Sequence, residues 1–244
     1  MKKTLFFLIT VFLFQIAFSQ KHKDSLYKPN IAIKWAPTGL ALGSISLHGE
    51  YGFGSKSLTA KIGLPSNTRH TFQYENEDAI FHLKAASFLA GYRMYISKRE
   101  LRGLYFEPFF KFVHHTAEGT GYSILDNQRV KLNFTNNYNG FGAGAQLGAQ
   151  FLLKNKFVID LFFFGPELNF ASNKFKAVEE SNTLPWSSTQ AYQAEDDIRR
   201  FIKKFPFLRR NTDIMVDRDN RIITAEFKGA VPGYRIGVSF GLAF

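Results

Sequence analysis

Tyr234-Arg235-Ile236-Gly237-Val238-Ser239-Phe240-Gly241-Leu242-Ala243-Phe244 alternates without a break. Tyr234, Ile236, Val238, Phe240, Leu242 and Phe244 fall on one face, all large and apolar. Arg235, Gly237, Ser239, Gly241 and Ala243 fall on the other, all small or polar. Successive strand residues point to opposite faces, so the segment reads as a β-strand with two unlike surroundings. One such strand could belong to a soluble β-sandwich.

The same pattern recurs seven times upstream. Ile31, Ile33 and Trp35 alternate with Lys34, and Ile45, Leu47, Tyr51 and Phe53 with His48 and Glu50. Leu58, Ile62 and Leu64 alternate with Lys61, and Phe88, Tyr92 and Met94 with Arg93. Phe106, Phe110 and Phe112 alternate with Glu107 and Lys111. Phe141 to Phe151 alternates with Gly142, Gln146 and Gln150, and Phe157 to Phe163 with Asp160. Short breaks at Gly54-Ser55-Lys56, Ser97 to Gly103 and Lys154-Asn155-Lys156 alternate with longer polar stretches near 65–78, 116–139 and 173–228. The connection at Pro37 to Ser44 is of modest length. Eight amphipathic strands with short and long connections in turn predict an all-β fold: an eight-stranded antiparallel up-and-down transmembrane β-barrel.

Composition fits that reading. No segment after the first twenty residues reaches the roughly 18 consecutive apolar residues of a helical span, and only helices and closed barrels satisfy every backbone group in lipid. The 28 phenylalanines, in an aromatic content of 16%, exceed what one soluble core would bury; a membrane barrel can turn them outward. Zero cysteines exclude a disulfide scaffold. A soluble periplasmic sandwich is the alternative architecture.

Residues 1–19 read as an export leader. Lys2 and Lys3 precede an apolar run from Leu5 to Phe18, with Ala17 and Ser19 at the cleavage positions, which makes Gln20 the expected mature N-terminus. The apolar run is shorter than the about 20 residues a spanning helix needs, and no cysteine follows it for lipid attachment. Loss of the leader lowers the formal charge from +11 by two, to +9. Residues 20–244 are then the barrel, in the outer membrane of a Gram-negative cell. Its loops face outward and its termini face the periplasm.

The stretch 173–228 is too long for a simple loop. Tyr192, Ile198, Phe201, Ile202 and Phe205 recur at helical spacing between Ala191 and Phe205. Acids precede bases there, as a helix dipole favours, and Pro206 is a stop. Asp217-Arg218-Asp219-Asn220 reads as a turn between short strands near 213–216 and 221–227. The final extracellular loop is thus expected to be a partly helical cap, helix plus hairpin.

With these segments placed, the chain resembles a domain-of-unknown-function family of small outer-membrane β-barrels, with an architecture similar to the OmpA transmembrane domain. The resemblance is carried by Ile31-Ala-Ile-Lys-Trp35, Ser46-Leu-His-Gly-Glu-Tyr51 with Lys56-Ser-Leu58, and Gly91-Tyr-Arg-Met-Tyr95. Gly103-Leu-Tyr-Phe-Glu-Pro-Phe109, Gly142-Ala-Gly-Ala-Gln-Leu-Gly148 and the closing strand complete it. It implies fold and location, and the family label carries no activity. The terminal aromatic resembles the signal read by the outer-membrane barrel assembly machinery.

The inward faces carry Lys34, Lys61, Arg93, Lys111 and Arg235 with Glu50, Glu107 and Asp160. An eight-stranded interior is just wide enough for side chains, so these charges are expected to pair as a plug. A narrow anion-preferring pore is the alternative, since bases outnumber acids. Arg199, Arg200, Lys203, Lys204, Arg209 and Arg210 form a candidate polyanion patch on the cap, facing lipopolysaccharide or another surface partner. Nucleic acid is a poor candidate for an exported barrel. His114 and His115, neighbours on opposite strand faces, cannot share one metal ion, and neither His70 nor His82 adds ligand spacing. A lipid-modifying enzyme on the same scaffold would need a Ser–His pair, and only Ser87 with His82 or Ser123 with His114 or His115 suggests one. No cofactor motif is present, and no catalytic residue is assigned. The expected function is non-enzymatic, structural or surface-binding, in a monomer held by outer-membrane lipid.

Overall fold

The structure, a computed structural model, describes residues 29–74, 77–180, 184–209 and 211–244. The expected leader and mature N-terminus lie outside the described residues. Ten antiparallel strands form, in order, β1 (Ile31–Ala36), β2 (Ser44–Phe53), β3 (Lys56–Pro65), β4 (Thr68–Tyr74), β5 (Glu77–Tyr95), β6 (Gly103–Leu125), β7 (Gln128–Leu153), β8 (Phe157–Glu179), β9 (Thr212–Asp217) and β10 (Ile222–Ala243). Eight of them pair around a ring in the order β1, β2, β3, β5, β6, β7, β8, β10. The ring closes where Ala32 to Trp35 pair with Ala243 to Phe240. At its end Phe244 and Ile31 exchange backbone hydrogen bonds of 2.8 and 3.0 Å. All consecutive ring strands are antiparallel neighbours, the up-and-down order expected from the alternating breaks.

Side-chain direction follows the pleat. Inward positions such as Ala32, Lys34, Glu50, Ser57, Arg93, Glu107, Gln150, Asp160 and Ser239 are buried. Outward positions are apolar and open, from Ile33 at 55% exposure through Phe110 at 63% and Phe170 at 64% to Ile236 at 67%. This outward band has an edge. Beyond Phe88, Phe112, Phe141 and Phe170 the outward residues become Lys84 and His82, His114 and Glu118, Asn139 and Asn137, and Lys174 and Lys176.

The long polar stretches differ from expectation. Residues 65–78, 116–139 and both flanks of 173–228 are largely paired strand, not loop. β6 and β7 run 23 and 26 residues and meet in a two-residue turn at Asp126–Asn127. Hydrogen-bonded pairing continues past the apolar band, where the alternation reverses: Val130, Leu132 and Phe134 turn inward and the polar residues between them outward. β4 continues β3 after a break at Ser66–Asn67 and pairs with the far half of β5. β8 carries a bulge at Phe163–Phe164, where Arg235 faces Gly165 but Gly237 faces Phe162. Two adjacent residues thus point outward, and every later side chain changes face.

A helix, α1 (Ser188–Lys203), and the β9–β10 hairpin form the expected cap. The helix begins earlier than its apolar spacing suggested, because Ser187 and Gln190 make reciprocal capping hydrogen bonds of 3.1 and 3.0 Å. Its buried side is Ala191, Ala194, Ile198 and Ile202, whereas Tyr192 and Phe201 point outward. That side packs with Leu125, Val130, Ala177 and Ile223 of the extended strands around Trp186. The Trp186 indole N–H donates to Glu179 at 2.5 Å, and its backbone exchanges hydrogen bonds with Arg218. The hairpin turn is held by Asn220, whose side chain and backbone N–H donate to Asp217 and hold that carboxyl below its ordinary range. Trp186→Ala removes the largest side chain of this core, a loss of about 3–5 kcal/mol. Limited proteolysis is expected to cut the cap much faster in this variant, while the ring persists as a protected fragment.

Candidate functional site

The ring interior is stacked in three layers from the short-turn end upward. At that end Leu101, on the β5–β6 connection, turns inward with a φ of 52°, a backbone region branched residues seldom enter. It is fully buried among Ala32, Leu152, Val158 and Ala243, and its carbonyl accepts from Gln150 at 3.0 Å. The turn therefore plugs its own end of the ring.

Above Leu101 lies the ion-pair layer. Lys34 Nζ donates to Glu50 and Asp160, both at 2.7 Å, and to Gln150 Oε1 at 2.8 Å. The Arg93 guanidinium reaches Glu107 through Nη2 at 2.7 Å and, through Nη1, Asp160 at 3.1 Å and Glu50 at 3.2 Å. Its Nε adds a second bond to Glu107. The carboxylates take further hydrogen bonds from Tyr95 and Ser57 on Glu50, Tyr105 on Asp160, and Thr59 and Gln146 on Glu107. Tyr105 also lies beneath Arg93, its ring centre 3.7 Å from the guanidinium carbon. It can do so because residue 148 is glycine, where a Cβ would come within 2.3 Å of the Tyr105 ring and hydroxyl.

Of the eight expected lumen charges, Lys34, Glu50, Arg93, Glu107 and Asp160 therefore meet in one cluster. Lys111 points inward too but pairs with Glu167. Glu167 was not expected there, because counting alternately along β8 without the bulge puts it outside. Lys61 and Arg235 face inward and have no carboxylate within ion-pair distance among the described residues. Gln146 and Gln150 lie on the small-residue face already visible in the sequence, but their role as partners depends on which strands oppose them.

The third layer is a cavity of about 760 Å3. Lys61, Lys111, Arg235 and Glu167 line it with Ser44, Ser87, His115 and Tyr138. The walls are apolar at Leu83, Ala85, Leu89, Val113 and Val231, and Thr38, Gly39 and Leu42 of the 3-10 turn Pro37–Leu42 border it.

The other candidates fare differently. On α1, Arg199 pairs with Glu195 at 2.6 Å, and Arg200 pairs with Asp196 at 3.2 Å and with Asp197. Lys203, Lys204 and Arg209 remain exposed at the helix end, and Arg210 lies outside the described residues. The patch is thus narrower than six bases, because i,i+3 and i,i+4 acids engage two of them. Ser87 and His82 are five residues apart on β5, about 17 Å along a strand, and Ser123 stands roughly 25–30 Å from His114 and His115 on β6. Neither Ser–His pair can form. His82 meets Asn67, His114 meets Asn139, and His70 stacks on Phe81. No group of three potential metal ligands occurs among the described residues.

Removing one member of the ion-pair layer strands its partners. Arg93→Met leaves Glu50, Glu107 and Asp160 with Lys34 alone, an expected loss of about 3–5 kcal/mol. It is read as an earlier midpoint in urea, followed by the fluorescence of Trp35 and Trp186. No family model matches this chain, and neither does a curated protein or a solved structure.

Proposed function

We propose that this chain is a non-enzymatic outer-membrane β-barrel, a sealed anchor that presents a folded cap for structural or surface-binding work in the cell envelope. The observation that carries this reading is the closed outward band of large apolar residues. In water a band of that kind would drive aggregation; in lipid it is the favoured surface. Its edge, where Lys84, Glu118, Asn137, Lys174 and Lys176 take over, then corresponds to the outer membrane surface. Aromatic contacts such as Phe53 with Tyr92 near the short turns and Phe110 with Phe141 above them suit interfacial and lipid-facing positions. On this reading the short turns face the periplasm, together with Ile31 and Phe244, which meet at the same end of the ring.

The interior supports an anchor over a pore. Leu101 fills the short-turn end among Ala32, Leu152, Val158 and Ala243, and above it each charge in the cluster is hydrogen-bonded. The cap is where a partner is met. Lys203 and Arg209, without acidic partners among the described residues, adjoin the aromatic series Phe201, Phe205 and Phe207. A basic and aromatic edge suits the phosphates of lipopolysaccharide or an acidic surface partner.

Membrane fractionation with heat-modifiable gel migration tests location. The protein is expected with outer membranes, migrating faster unboiled than boiled. Recovery in the soluble periplasm without a migration shift would sink the membrane reading. In planar bilayers the protein is expected to give no discrete openings, and a reproducible open state would contradict the sealed interior.

A further inference from the structure

The charges of the ring interior do not balance by themselves. The ion-pair layer holds three carboxylates, Glu50, Glu107 and Asp160, against Lys34 and Arg93. Lys111 is matched by Glu167. Lys61 and Arg235 remain, two cations against one surplus carboxylate, so the interior carries one positive charge in excess with its imidazoles neutral. Both line the same cavity.

Their surroundings are unusual for cations. Lys61 sits in register beside His48, whose Nε2 is buried without a hydrogen-bond partner. The Arg235 guanidinium lies against the rings of Phe109 and Phe162, 4.7 and 5.5 Å from their centres. Its Nη1 is buried and has no hydrogen-bond partner. The Ser44 hydroxyl is likewise buried and unpartnered. It approaches Ser87 across Gly63, where a Cβ would lie 2.3 Å from the Ser87 hydroxyl and 2.5 Å from that of Ser44. A buried cation without a counter-charge costs several kcal/mol, and unsatisfied buried donors add to that cost. Unmatched groups of this kind, gathered around one cavity together with the unpartnered acceptors Glu167 Oε2 and Asn169 Oδ1, are what a site awaiting a complementary group looks like.

The lining specifies that group. Two cations and two hydroxyls can hold a carboxylate or a phosphate monoester through charge-assisted hydrogen bonds. The walls of Leu83, Ala85, Leu89, Val113 and Val231 suit an apolar body. A volume of about 760 Å3 falls within the roughly 300–1,000 Å3 of small-molecule sites. We propose that the cavity above the ion-pair layer binds a small amphipathic organic anion, its charged head between Lys61 and Arg235 and its apolar part on the Leu83–Val113 wall. The cavity faces the ring interior, so its chemistry does not depend on what surrounds the ring.

Calorimetric titration of the full-length folded protein in detergent micelles tests this with benzoate, phenyl phosphate, benzylamine and benzyl alcohol. Saturable binding of benzoate or phenyl phosphate is expected, weakening with added salt, and none of benzylamine or benzyl alcohol. Lys61→Met and Arg235→Met are expected to weaken the anion by roughly tenfold or more each. Without ligand, Lys61→Met is expected to melt no lower than the parent, since it removes an unmatched charge. Three results would each overturn the proposal: no saturable binding of either anion, undiminished binding by Lys61→Met, or a lower melting point for ligand-free Lys61→Met. The last would make Lys61 a counter-charge to the ion-pair layer.

Discussion

Burying Lys34 and Arg93 inside a ring of eight strands is the condition on which the rest of the molecule depends. An interior this narrow holds side chains and little water, so each cation must find its anions on the facing strands. Those anions come from β2, β6 and β8, and their supporting hydrogen bonds from β3, β5, β6 and β7. The cluster therefore ties together nearly every strand of the ring. A slip of one residue in any of those strands would turn its charge outward and leave the others unmatched. The network thus specifies register, and closure between β1 and β10 brings Lys34 Nζ to 2.7 Å from Asp160 across β10.

The same crowding divides the interior by task. Near the short turns every charge is paired: Leu101 fills the end, Gln150 donates to its carbonyl, and the carboxylates are surrounded by donors. Higher up, the strand faces offer glycine and serine where they could offer bulk, and the packing opens into the cavity with Lys61 and Arg235. A plug designed only to seal would have matched those charges or replaced them with apolar residues, which is often the more stable choice. Their retention beside the unpartnered Ser44 hydroxyl sets this layer apart from the one below it.

Beyond the apolar band the strands continue, and their job changes. The extensions of β6, β7, β8 and β10 turn an apolar face inward, with Leu125, Val130, Phe175, Ala177 and Ile223, and α1 and Trp186 cover it. The reciprocal caps of Ser187 and Gln190 and the Arg218–Trp186 backbone exchange make this cover a folded unit. Its exposed residues, Tyr192, Phe201 and Met215 among them, are consequently held on a rigid base.

Eight amphipathic antiparallel strands, the inward face of each as far as the β8 bulge, and a helix and hairpin within the last connection are legible in the order of residues alone. Strict alternation suffices for this, because the pleat assigns each residue a face without reference to any other strand. Lys34, Glu50, Arg93, Glu107 and Asp160 were legible as interior charges on that ground. Only the tertiary structure decided which of them meet, since pairing depends on register between strands distant in sequence. It also decided that Glu167 joins the interior, because the Phe163–Phe164 bulge shifts the alternation and apolar residues flank it on both sides. The polar stretches became strands for a related reason: beyond the band the alternation reverses, apolar Val130, Leu132 and Phe134 turning inward and polar residues outward, a pattern weaker than that of the outward apolar face. And the excess charge at Lys61 and Arg235 appeared only when every other partner had been taken, a property of the assembled ring and of no single segment.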